Sequence, residues 1–266
     1  MERLAILSGA GQLPVALAMA NPEAVRVRFA GVESALQDCV EVRFEHLGGL
    51  FEFLAQEGVT RVVMAGAMSR PQFDPSAFDD TMMSLAPRLQ KAMQGGDDRL
   101  LREIIAIFNE RGLKVVGAHE VLPELTATPG LLAGSEPNEG QLSDLLRADA
   151  ILSALSPVDV GQAVVVEGGL CLGIETLQGT DALLDFVAQT PDHLRQSGGV
   201  LVKRPKAGQD LRVDMPTIGP NTIVKAANAG LAGLVISPGS VLLLDRERLV
   251  EEATKHNLFL LARGSA

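Results

Sequence analysis

The chain is expected to be an α/β protein: an N-terminal Rossmann-like parallel-sheet domain joined by a linker to a C-terminal mixed α/β domain. Three observations predict this. Short apolar runs at 4–7, 25–29, 61–64 and 114–116 are separated by helical patterns, the arrangement of parallel strands joined by crossover helices. Over 126–140 the composition turns to Thr, Pro, Gly, Ser and Asn without a sustained period, which reads as a connection between domains. At 266 residues the chain is long enough to bury two ordinary cores. The expected boundaries are 1–130, a linker at 131–140, and 141–266.

The first run ends in Ser8-Gly9-Ala10-Gly11, and Pro14 suits the first turn of the helix that follows. Alternation at 25–29 predicts a strand, 47–56 an amphipathic helix, and 61–64 a buried strand closed by Gly66. Leu100, Leu101, Ile104, Ile105 and Phe108 give the helix at 98–110 its apolar face, and Gly112 stops it before the strand at 114–116. Beyond the linker a helix is expected at 142–155, then two strands turning at Gly168-Gly169 as a hairpin. A helix at 181–189 with Thr180 as N-cap, a strand at 200–203 and a helix through 224–229 come next. Strands at 234–236 and 241–244, a helix from Arg246 and a strand at 258–261 complete the prediction.

Hydrophobic residues make up 47% of the chain and charged ones 21%, which is globular, and with no Trp or Tyr the interior must be aliphatic. A net charge of −10 opposes nonspecific attachment to nucleic acid or an anionic membrane, so a phosphate partner must be met by a local patch. Cys39 and Cys171 stand too far apart in sequence for a zinc knuckle, a redox pair or a disulfide framework, which suits a reducing compartment. Arg3, the apolar stretch after it and Ala18-Met19-Ala20 imitate a secretory signal, but Ser8, Gly9, Gly11, Gln12 and Pro14 interrupt it and fit a strand, turn and helix. No segment reaches the roughly 18 apolar residues of a membrane span.

Five stretches carry chemistry. Gly9-Ala10-Gly11 begins like a dinucleotide fingerprint, whose glycines bring backbone N–H groups and a helix N-terminus to phosphate. Pro14 replaces its third glycine, although Glu33 could imitate the ribose-binding acid. After the 61–64 strand, Ser69 can donate to a phosphate or sugar oxygen and Arg70 can fork onto a phosphate. Asp97 and Asp98 open a helix, where N-capping suffices to explain them and Mg²⁺ binding is the alternative. His119, in Gly117-Ala118-His119-Glu120, follows the next strand; without a second histidine at metal spacing it does not suggest zinc. The densest stretch is 203–225, with five Lys or Arg against two Asp, a local +3 in a chain of −10. It is either the patch a diphosphate needs or a charged hairpin with turns.

Taken in order, GAGQLP, GAMSRPQF, GGDDRLL, GAHEV, Gln178-Gly179-Thr180-Asp181 and KRPKAGQDLRVDMPTIG resemble the LpxI family over essentially the whole chain. The resemblance implies a hydrolase of lipid A biosynthesis that cuts the pyrophosphate of UDP-2,3-diacylglucosamine, at the β-phosphorus, into UMP and 2,3-diacylglucosamine 1-phosphate (lipid X). It implies Mg²⁺ or another divalent cation, and an essential aspartate that matches Asp214. Ala67 departs from the Asn frequent in the family. Gly9, Gly11, Ser69, Arg70, His119, Thr180, Lys203, Lys206, Arg212, Thr217 and Asn221 are the expected substrate contacts, with Asp214, Asp97 and Asp98 as candidate metal ligands. An ordinary Asp, with a pKa of about 3.9, is a weak base at neutral pH, so metal ligation and direct proton abstraction stand level for Asp214.

Two rival classes remain. A nicotinamide-dependent oxidoreductase would explain the first glycine turn but not the segment around Asp214. A noncatalytic sugar-nucleotide or lipid-binding module would use the basic stretch without turnover. The expected setting is the cytoplasm, with a peripheral position at the inner membrane and a homodimer left open, the diacylated UDP-sugar as partner and no nucleic acid.

Overall fold

The computed structural model describes residues 2–68, 73–196 and 198–264, and for Asp97 the backbone alone. The chain forms two compact units, one of 1–123 together with Asp210–Asp214, the other of 124–209 and 215–266.

The first unit runs β1 (Arg3–Ser8), α1 (Leu13–Ala20), β2 (Val25–Phe29), β3 (Val40–Val42), α2 (Leu47–Gln56), β4 (Val59–Ala65), α3 (Asp80–Met93), α4 (Asp97–Glu110), β5 (Lys114–Val116) and α5 (Ala118–Val121). Its strands pair in the order β3-β2-β1-β4-β5, every pair parallel. Side chains alternate across a strand, and both sides of β1 are covered: Ala5 and Leu7 join the core built with α2, α3 and α4, while Leu4 and Ile6 are buried as well. Phe51 of α2 meets Phe108 of α4 edge to face at 5.3 Å. Asp79 fixes two helix starts at once, accepting from the Met82 N–H at 2.6 Å and the Gly48 N–H at 2.7 Å. Helix α3 is not among the predicted elements, although Met82, Leu85, Leu89 and Ala92 bury one face; Pro87 inside it obscures the pattern.

The second unit runs β6 (Gly130–Ala133), α6 (Glu139–Leu155), β7 (Ala163–Glu167), β8 (Leu170–Ile174), α7 (Gly179–Val187), β9 (Val200–Lys203), β10 (Thr217–Ile218), α8 (Pro220–Asn228), β11 (Gly233–Ile236), β12 (Leu242–Leu243), α9 (Arg246–Lys255) and β13 (Phe259–Ala262). The main sheet has the order β6-β13-β11-β9-β7-β8, parallel at its centre and antiparallel toward both edges. β7 and β9 are buried on both faces: Val164, Val166, Val200 and Val202 pack with Leu145, Ala148 and Leu152 of α6, while Ala163, Val165 and Leu201 pack with α7, α8 and α9. β10 and β12 form a separate parallel pair.

The stretch expected as a linker differs from that expectation. Leu131 and Leu132 lie in β6, which pairs antiparallel with β13, and Asn138 caps α6 by accepting from the Gln141 N–H at 2.9 Å. Short apolar strands among Gly and Pro carry too few residues to show a period. The hairpin at Gly168-Gly169 forms as predicted, with φ of 57° and 78° at its two turn residues, values that glycine adopts without strain. Asp144 of α6, itself buried, accepts from both turn N–H groups, at 2.9 Å and 2.6 Å.

Candidate active site

The carboxyl ends of a parallel sheet are where open α/β folds place their ligands, most often where the strand order reverses. In the first unit that reversal lies between β1 and β4. Here the two loops clasp each other. The Gly9 N–H donates to the Ala65 carbonyl at 2.7 Å, the Ala10 N–H to Ala67 at 2.8 Å, and the Ala67 N–H returns to Ala10 at 3.0 Å. A Cβ on Gly9 would stand 2.5 Å from the Ala67 carbonyl oxygen, and one on Gly66 2.4 Å from that of Ala10, so the glycines serve this backbone contact. Two N–H groups that a dinucleotide fingerprint would offer to pyrophosphate are therefore already used. Gly11 takes a positive φ of 95°. Glu33 is exposed. Ser69 and Arg70 lie outside the described residues.

At the end of β5, the Gly117 N–H donates to the Glu120 carboxylate at 2.8 Å, which starts α5. A Cβ on Gly117 would fall 2.5 Å from His119 Cε1 and 3.3 Å from Arg212 Cα, so the missing side chain lets the 210–214 segment lie against this loop. Nδ1 of His119 is buried and has no hydrogen-bond partner among the described residues. The segment is a closed turn: the Val213 and Asp214 N–H groups donate to the Asp210 carbonyl at 3.2 Å and 3.1 Å. Arg212 forks onto Asp210, Nε to Oδ1 at 2.9 Å and Nη2 to Oδ2 at 2.6 Å, and its own N–H reaches Oδ1 at 3.1 Å. That guanidinium holds the Asp210 carboxyl below the usual carboxylate range, with Arg102 of α4 adding to the effect. Val213 packs against the first unit's core. Asp214 itself is half-buried, in a turn that belongs to the first unit.

The expected basic patch is corrected by its partners. Every Lys or Arg of 203–225 has a carboxylate within 3.5 Å: Lys203 with Glu175, Arg204 with Asp149, Lys206 with Asp159, Arg212 with Asp210 and Lys225 with Asp185. Four of these acids lie elsewhere in the chain, so a charge of +3 counted along the sequence is not a charge of +3 in space. The pairs also differ in kind. Lys203 is buried, donating to Thr180, whose hydroxyl donates in turn to Glu175 at 2.8 Å. Removing such a cation would strand a buried carboxylate, at about 3–5 kcal/mol. Lys206 pairs at 2.5 Å with an Asp159 that is 59% exposed, and a solvated pair of this kind is worth at most about 1 kcal/mol. An arriving phosphate can therefore take Lys206 cheaply and Lys203 only at a high cost. Thr217 donates to the Met215 carbonyl at 3.1 Å, and Asn221 donates to Asp181 at 2.6 Å.

For a divalent cation, the donor set is sparse. No three His, Cys, Asp or Glu side chains converge as a ready-made metal site among the described residues. Asp98 is engaged by Arg102 at 2.9 Å, and the side chain of Asp97 lies outside the description. Mg²⁺ can also be held by one or two carboxylates together with substrate phosphates, a mode that needs no such cluster. Among the described residues no helix is long and apolar enough to cross a membrane.

A doubly wound parallel unit whose strand-end loops carry a clasped glycine turn, followed by a mixed-sheet unit, defines a two-unit α/β protein of Rossmann-like type. The LpxI N-terminal domain matches residues 3–125 and the LpxI C-terminal domain residues 128–261. The chain belongs to the LpxI family. It is 38% identical, over 98% of its own length and 97% of the relative's, to the UDP-2,3-diacylglucosamine pyrophosphatase LpxI of Caulobacter vibrioides.

Proposed function

We propose that the chain hydrolyses the pyrophosphate bond of UDP-2,3-diacylglucosamine to UMP and 2,3-diacylglucosamine 1-phosphate, a step of lipid A biosynthesis carried out in the cytoplasm. The end-to-end likeness to a relative of that name carries the reading. The chain is an enzyme, a hydrolase acting on a phosphoric anhydride. In this reaction a water oxygen bonds to the β-phosphorus, the bridging P–O bond breaks, and UMP leaves with the bridging oxygen.

Asp214 is the reacting carboxylate, and it either accepts the proton of the attacking water or holds the cation that acidifies it. A bound Mg²⁺ would neutralise phosphate charge and lower the pKa of water. Lys206, released from Asp159, takes phosphate charge, while Lys203 and Thr180 shape the second unit from inside. His119, whose Nδ1 is buried without a partner among the described residues, is a further substrate contact.

The test is mass-spectrometric detection of UMP from the diacylated UDP-sugar in ¹⁸O-water. Attack at the β-phosphorus puts the label in the lipid monophosphate, and label in UMP would overturn that assignment. Asp214→Ala should keep the fold and binding yet lose activity at least about a hundredfold, the size expected of a positioned acid or base. Binding without UMP release by the wild-type chain would instead identify a noncatalytic module.

A further inference from the structure

The Arg212–Asp210 pair has geometry that a substrate clamp would not need. Both Asp210 oxygens are taken by one edge of the guanidinium, Nε and Nη2, in the two-bond fork that Arg and carboxylates form most strongly. The same aspartate receives the Arg212 N–H on its side chain, and the N–H groups of Val213 and Asp214 on its carbonyl. Five of the bonds that close the turn thus end on one residue, and the turn carries Asp214. Arg102, held by Asp98, acts electrostatically on Asp210 from α4, and Glu120 acts on Arg212 from α5. Acid and base alternate along this set from α4 to α5, which ties the turn to the first unit on two sides. Opening the fork to bind a phosphate would loosen the support of the residue that must stay still.

We infer that Asp210 is a positioning residue for Asp214, and that Arg212 acts through Asp210 rather than as a phosphate ligand. This rests on the reading of Asp214 as the reacting carboxylate. A carboxylate held within a few tenths of an ångström of its working place is worth orders of magnitude in rate. Loss of the fork therefore appears in kcat, with substrate affinity kept.

The experiment measures kcat and KM for UMP release by wild type, Asp210→Asn, Arg212→Gln and the double variant, each checked for an unchanged far-ultraviolet spectrum and melting temperature. Each single change should lower kcat about thirtyfold or more with KM within about twofold, and the double should fall no more than about threefold below either single, because both remove one interaction. Arg212→Lys, which keeps the charge but not the fork, should behave like Arg212→Gln, and it serves as the readout if Asp210→Asn does not fold. Three results would overturn the inference: Asp210→Asn within about threefold of wild type, a rise in KM as the main effect of Arg212→Gln, or multiplying losses in the double variant. A wild type that releases no UMP would instead sink the functional reading itself, and inactive Asp214→Ala beside an active Asp210→Asn separates the two failures.

Discussion

Lys203 and Lys206 stand three positions apart and carry the same charge, but burial gives them different work. Lys203→Ala should cost about 3–5 kcal/mol, because Glu175 would stay buried without its cation. Lys206→Ala should cost less than about 1 kcal/mol and raise KM instead. Urea unfolding read alongside steady-state kinetics checks both, and equal stability losses would remove the distinction. The cations themselves were legible in the sequence. Their partners were not, since Asp149, Asp159, Glu175 and Asp185 lie tens of residues away and no local rule links them. Asp210 carries a visible signal, an acid two residues before an Arg and four before Asp214 in a stretch fixed by Pro216.

At the scale of elements, the parallel strands of the first unit, the helices at 98–110 and 142–155 and the glycine hairpin followed from apolar period and turn chemistry. What escaped was short or disguised: β3 and β10 have three and two residues, β6 sits among glycines and prolines, and α3 contains a proline. The hairpin also has a support that no pattern reveals. Asp144 is buried on α6 and holds both turn N–H groups, so Asp144→Ala should destabilise the second unit by about 1–3 kcal/mol for the donors left unsatisfied. Asp144→Asn, which keeps one acceptor, should recover part of that loss in thermal unfolding. A variant as stable as wild type would show that water replaces the carboxylate.

For the molecule as a whole, the boundary near residue 123 matters less than the five residues 210–214, which leave the second unit's stretch of chain and belong to the first. The Val213 and Asp214 amides should therefore resist hydrogen exchange along with the β5 region. Gly117→Val, whose Cβ would crowd His119 and Arg212, should lower that protection and the turnover together while β7 and β9 stay protected. Unchanged exchange at Val213 with lost activity would detach the turn's order from catalysis.

The lent segment also sets an order of events during synthesis. A chain emerging from the ribosome completes β1 to α5 long before residue 210 exists, and domains fold as they appear. The first unit must therefore collapse with the place for Val213 still unfilled, and contacts that bridge about a hundred residues of sequence form late. Asp214 reaches its position only after most of the polypeptide has been made. With Asp214 as the proposed reacting carboxylate, a chain cut before residue 210 should therefore be folded in its first unit yet inactive, which ribosome-stalled or truncated chains would show.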